Sequence, residues 1–118
     1  MTRFAAPIAE QIWDMKYRFK EADGTPVDRS VEDSWRRIAR ALASVEADPA
    51  HWEQKFYDAL DDFKYLPAGR ITAGAGTGRK VTLFNCFVMG TVPDSMGGIF
   101  DMLKEAALTM QLPSIWSK

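Results

Sequence analysis

The single cysteine of the chain, Cys86, sits in "KVTLFNCFVMGTVPDSMGGIFDMLKEA" next to the amide of Asn85 and shortly before an acid and hydroxyl pair, Asp94 and Ser95. A thiol can give a proton or a hydrogen atom, and it stores the oxidised state as a disulfide when a second thiol meets it. One cysteine rules out an intrachain disulfide, so redox chemistry at Cys86 needs a partner from elsewhere. Cysteine is also among the most buried residue types, and an inert packing role is the simpler account. The residues alone leave both open. Asp94 and Ser95 precede Met96, Ile99, Leu103, Ala106 and Met110, which share one helical face, so either can cap a helix whose N-terminus also favours an anion. Gly97 and Gly98 weaken that first turn by roughly 1 kcal/mol each relative to alanine, which points to close packing or a closely approaching ligand.

Other chemistry-bearing residues are less pointed. "PAGRITAGAGTGRK" holds four of the eight glycines, with Arg70, Arg79 and Lys80 among them. Such a loop can bring N–H groups to a phosphate, but it lacks the lysine and serine or threonine ending of a phosphate-cradling loop, and a flexible connection is the other account. One cysteine and one histidine provide poorly for zinc, so no metal site is expected. His51 reads as a polar surface residue.

These residues need elements to hold them. "FAAPIAEQIWDMKYRFKEADG" is either a short helix or an extended arm, followed by a turn at "ADGTP". Ser30 with Asp33 resembles a capping box, and Val31, Trp35, Ile38, Leu42 and Val45 then mark one helical face. Arg36, Arg37 and Arg40 fall on its other side, as a solvated or partner-facing surface. Asp48 and Pro49 start a second helix with Trp52, Phe56, Leu60 and Phe63 on its apolar face, and Pro67 limits its far end. "VTLFNCFV" is rich in β-branched and aromatic residues and reads as a buried strand, with Phe84, Cys86 and Val88 on one face and Leu83, Asn85 and Phe87 on the other.

The 118 residues suffice for one modest domain, and 47% hydrophobic with 26% charged residues argues against general disorder. A net charge of -1 offers no electrostatic basis for binding nucleic acid or an anionic membrane. No apolar segment is long enough for a signal peptide or a membrane span, which with the lone cysteine reads as a cytoplasmic protein.

Taken together, "PIAEQIWDMKYRFK", "VDRSVEDSWRRIARALASVE", "FYDALDDFKYLPAGRITAGAGT" and "TLFNCFVMGTVPDSMGGIFDMLKEAALTMQ" resemble the N-terminal part of adenosylcobalamin-dependent (class II) ribonucleotide reductase over about residues 4 to 111. The resemblance implies an α/β fold: a helical region at 1–66, then the first strand and helix of a ten-stranded barrel at 67–111. It implies that Cys86 is one of two thiols that reduce the ribose and become a disulfide, not the thiyl radical, with Asn85 beside it at the substrate. Asp94 and Ser95 would contact a deoxynucleotide specificity effector. The implied cofactor is adenosylcobalamin and the implied partners are a ribonucleotide, a thiol reductant such as a thioredoxin, and a second copy of the complete enzyme.

The resemblance ends at Gln111, and "LPSIWSK" at 112–118 reads as a divergent tail of a truncated frame. The expectation is therefore a reductase fragment, inactive by itself, whose cobalamin contacts and partner thiol lie elsewhere. The alternatives are a noncatalytic nucleotide-sensing or protein-interaction module derived from the reductase N-terminus, and a plain helical domain with an inert Cys86.

Overall fold

A computed structural model describes residues 3–111 and contains five α-helices: α1 Pro7–Ile12, α2 Val31–Ala43, α3 Pro49–Leu60, α4 Gly69–Gly74 and α5 Met96–Gln111. The divergent tail expected at 112–118 lies outside the described residues. The opening segment is helical, and α1 continues directly into a π-helical turn, Trp13–Tyr17, closed by the Arg18 N–H donating to the Trp13 carbonyl at 2.8 Å. The wider turn changes which side chains face inward. Trp13, off the apolar stripe in sequence, is thereby buried.

The core is small and belongs to the first 75 residues. Trp13, Val31, Trp35, Ile38, Ala39, Leu60 and Ala75 form it, with Phe56, Tyr57 and Phe63 packed around them. The expected apolar face of α2 is right at Val31, Trp35 and Ile38, but Leu42 and Val45 are exposed, while Ser34, Ala39 and Ala43 take the interior. The capping box is also modified: Ser30 makes no side-chain cap, and Asp33 accepts from the Arg29 N–H at 3.0 Å, one residue before the cap position. Asp48 caps α3 as its sequence predicts, accepting from the His51 N–H at 3.3 Å.

Asp28 and Arg37 carry the largest departure from the sequence pattern. The Arg37 side chain is 8% exposed and lies 2.9 Å from Asp28, itself 4% exposed. Asp28 Oδ2 also accepts from Ser34 Oγ at 2.6 Å and the Phe19 N–H at 3.1 Å, and Ser34 Oγ accepts from the Trp13 indole N–H at 3.0 Å. Arg37 donates further to the carbonyls of Tyr17, Thr72 and Ala75. Its neighbours Arg36 and Arg40 behave as surface residues and approach Glu53 on α3. Arg37 was expected beside them; it is drawn inward because it alone reaches a buried carboxylate and three carbonyls.

Part of the glycine-rich stretch is helical rather than a flexible connection. Residues Gly69–Gly74 form α4, and Arg37 neutralises its C-terminal carbonyls, where a cation is favoured. Gly76 then turns the chain at φ +74°, with a Cβ there only 2.9 Å from the Arg37 carbonyl oxygen. No L-residue fits without strain.

The expected α/β architecture is incorrect for this chain. Among the described residues there is no strand and no sheet, and the lone β-type pairing is an isolated bridge between Lys20 and Pro26. Residues 81–88 form no ladder and bend at Asn85; their backbone bonds are local, from Val81 N–H to the Arg79 carbonyl and from Phe84 N–H to Thr82 Oγ1. β-Propensity describes fitness for a pleated, half-buried surface, and a ladder needs a neighbouring edge. None is present, so the composition of "VTLFNCFV" cannot be expressed as a strand. The described residues therefore hold no strand of a barrel. The packed face expected for α5 also lacks a partner: Met96, Ile99, Leu103 and Met110 are exposed.

Arg37→Met leaves Asp28 buried and unpaired and is expected to lower stability by about 3 kcal/mol or more in urea unfolding followed by tryptophan fluorescence. Arg29→Gln, on a side chain 87% exposed, is expected to stay within about 0.5 kcal/mol of the parent. A second pair separates strain from contact. Gly78 has φ +71° and open space, so Gly78→Ala should cost roughly 1 kcal/mol, and Gly76→Ala clearly more in the same assay.

Candidate functional site

The chain leaves the helical unit through a tethered exit. After α4, Arg79 Nη2 donates to the Lys20 carbonyl at 2.6 Å, and its guanidinium lies 5.2 Å from the centre of the Phe19 ring. Phe19 is itself fixed through Asp28, so the exit is tied to the same buried carboxylate. Val81 and Leu83 then rest against Gly74 of α4. From Phe84 onward the segment points away, with Phe84 and Phe87 in edge contact at 6.4 Å.

Asn85 and Cys86 are both exposed on this segment, and Cys86 is a free thiol. It is not a space-filling core cysteine. The segment returns toward α5, where Thr109 Oγ1 lies 3.9 Å from Met89 Sδ. At the start of α5 the two candidate effector residues separate by role: Ser95 Oγ accepts from the Gly98 N–H at 3.1 Å, while Asp94 is exposed and caps nothing. Gly98 is required by packing, since a Cβ there would lie 2.6 Å from Pro93 Cβ, whereas Gly97 faces open space. Nothing brings Cys86 and Asp94 into one pocket.

A groove of about 560 Å³ lies elsewhere, between α1, α2 and residues 63–72. Phe4, Trp13, Trp35, Ile38, Phe63 and Leu66 make its walls apolar. Phe63, expected on the α3 face, is instead past the helix end in a left-handed turn at φ 58°, which swings its ring to 5.1 Å from Trp35 and 5.4 Å from Phe4. Arg3 holds this turn through Asp61 Oδ1 at 2.7 Å and also reaches Glu32; the hydrogen bond to Glu32 raises the Arg3 pKa above its ordinary value.

The adenosylcobalamin implied by the resemblance does not fit the described residues. No three His, Cys, Asp or Glu side chains converge among them, His51 is exposed with its ring against Trp52, and the groove offers no polar cradle for a corrin. No helix among the described residues is long and apolar enough to cross a membrane.

Sequence reasoning missed the burial of Arg37, the seating of Val81 on Gly74 and the tie of Arg79 to Lys20. Arg37 had one legible signal: it follows Ser34 by three residues, placing both on a shared side of α2 with a polar neighbour already on the inner stripe. Gly74 and Arg79 had none, because their partners Val81 and Lys20 meet them only through the fold.

Fold and site together define an all-helical scaffold domain that launches a thiol-bearing segment. Residues 3–80 match the family described as ribonucleotide reductase, all-alpha domain, and the chain belongs to that family. It is similar to the ribonucleoside-diphosphate reductase subunit alpha of Helicobacter pylori, 34% identical over 93 residues, which are 79% of this chain and 11% of that protein. The protein of the same name from Chlamydia muridarum is 32% identical over 74 residues, 63% of this chain and 7% of that one. The chain thus spans about a tenth of the length of these relatives. No solved structure gives a significant match.

Removing the α5 cap by Ser95→Ala should destabilise that helix by roughly 1 kcal/mol, with Asp94→Ala having a clearly smaller effect, read by amide hydrogen exchange across residues 96–111. In the same folded chain the Cys86 thiol should react with a disulfide reagent within about threefold of its rate in denaturant, as expected for an unshielded thiol.

Proposed function

We propose that this chain forms the N-terminal helical part of a ribonucleotide reductase large chain and presents the reducing thiol Cys86 to a ribonucleotide. The place of Cys86 just past the family-matched residues 3–80, on a segment anchored at its base, carries this proposal. In the complete enzyme Cys86 and a second thiol, from outside this chain, are oxidised to a disulfide as the 2′ carbon–oxygen bond of the ribose breaks, the two thiol hydrogens ending one on the 2′ carbon and one on the oxygen, which leaves as water. A thiol reductant such as a thioredoxin then restores both thiols. Asn85 contacts the substrate beside them.

Asp94 and Ser95 form the contact for a deoxynucleoside triphosphate effector. The division of roles at α5 supports this: Ser95 caps the helix, so the Asp94 carboxylate is available to a ribose hydroxyl beside a helix N-terminus that favours phosphate. The complete enzyme acts in the cytoplasm in DNA precursor synthesis, as a homo-oligomer. Its dependence on adenosylcobalamin rests on the segment resemblance alone; the relatives are named as alpha subunits, a name that does not specify that cofactor.

The test uses a full-length reductase carrying this N-terminal region. Cys86→Ser should reduce deoxynucleotide formation by at least about a hundredfold, a loss characteristic of removing a positioned reacting group, and Asp94→Ala should impair effector-dependent substrate choice while sparing basal turnover. Retained turnover in Cys86→Ser refutes the thiol role. Saturable binding of a deoxynucleoside triphosphate by the 118-residue chain itself, lost in Asp94→Ala, would favour the nucleotide-sensing alternative.

A further inference from the structure

We propose that Gly74 is the seat that registers the Cys86 segment against the helical unit, with Val81 as the side chain it receives and Arg79 as the second tether. A Cβ built on Gly74 would lie 2.7 Å from Val81 Cγ2 and 3.4 Å from Leu83 Cδ2. The first distance is well inside van der Waals contact, so Val81 occupies the space that any side chain at position 74 would fill. Valine has little freedom to swing aside, since its branched Cβ restricts χ1.

The glycine is not there for its backbone. Gly74 is the last residue of α4 and is not among the positive-φ glycines, which are Gly24, Gly76 and Gly78. Alanine is the better helix former at such a position, so helix stability alone would favour it over glycine. Close approach of Val81 is the constraint that remains.

The registry matters because of where it ends. Leu83 is the last residue seated on α4, and Cys86 follows three residues later. Three residues reach about 10 Å when extended, so the seat confines the thiol to a short arc around a fixed point. Arg79 secures the other side through the Lys20 carbonyl and the Phe19 ring. Gly74, Val81 and Arg79 are thus positioning residues that act through the segment, and their relevance to turnover rests on the proposed role of Cys86.

The single cysteine makes the test direct. A nitroxide attached to Cys86 of the 118-residue chain reports segment mobility by its line shape, with circular dichroism confirming the helical unit. Gly74→Ala should mobilise the label by displacing Val81, and Val81→Ala should do so by emptying the seat. The Gly74→Ala, Val81→Ala double variant places a methyl back in the same space and should return the line shape toward that of the parent. Arg79→Gln should also mobilise the label, and Arg79→Lys should do so less.

An unchanged line shape in both folded single variants, or a double variant as mobile as either single one, overturns the proposal. In a full-length reductase carrying this region, Gly74→Ala should lower kcat about tenfold at unchanged KM, with recovery in the double variant. If the line shapes respond as expected and kcat does not, the registry stands and its role in turnover fails, while the thiol role itself is decided separately by Cys86→Ser.

Discussion

The buried pairing of Asp28 with Arg37 is the interaction on which the rest of this molecule depends. Two charges removed from water are tolerated only when each is met by further hydrogen bonds, and here both are: Asp28 by Ser34 and the Phe19 N–H, Arg37 by three backbone carbonyls. The partners come from four separate parts of the chain. The π-helical turn, the loop at 18–28, α2 and α4 are held together by one carboxylate and one guanidinium, where the small apolar core contributes only a few large side chains. A pair with this many directional contacts defines an arrangement more narrowly than apolar burial, which has no preferred direction.

From that centre the order decreases outward. Trp13 joins the network through its indole N–H and so requires the π-helical turn that brings it inward. Arg37 ends α4, Gly76 lets the chain pass beside Arg37, and Arg79 ties the exit to the loop that Asp28 holds. Beyond Leu83 the contacts become few, and both Cys86 and the apolar face of α5 are exposed. This gradient leaves the well-packed unit ending near Leu83. Membership of the ribonucleotide reductase all-alpha domain family agrees with it, since residues 3–80 match and the thiol lies just after them.

The exposed apolar side chains follow from the same geometry. Phe84, Phe87, Val88 and Val92 precede α5, whose own Met96, Ile99, Phe100 and Leu103 are uncovered. Individually exposed apolar residues are ordinary, but a run of them along one segment and the helix after it marks surface that is not yet covered. The matched residues make up only 11% of the Helicobacter pylori relative, so there is no lack of polypeptide in such proteins to cover it.

Much of the helical unit was legible in sequence because its signals are local. The cap and proline at Asp48 and Pro49, the turn after Ala22, the start of the α2 stripe at Val31, Trp35 and Ile38, and the helix after Ser95 all arise from residues within a turn or two of one another. Membership of the ribonucleotide reductase family was legible as well, through the run of segments that resemble it. Tertiary structure alone decided what depends on distant partners: the burial of Arg37, the left-handed turn that inserts Phe63, the fit of Val81 on Gly74, and the failure of "VTLFNCFV" to become a strand. A helix satisfies its hydrogen bonds within its own segment, so where a cap-type residue and an apolar stripe are present, as in α2, α3 and α5 but not in the glycine-rich α4, its sequence announces it; a strand, a buried ion pair and a glycine seat are completed by atoms far along the chain, and only the fold says whether those atoms are there.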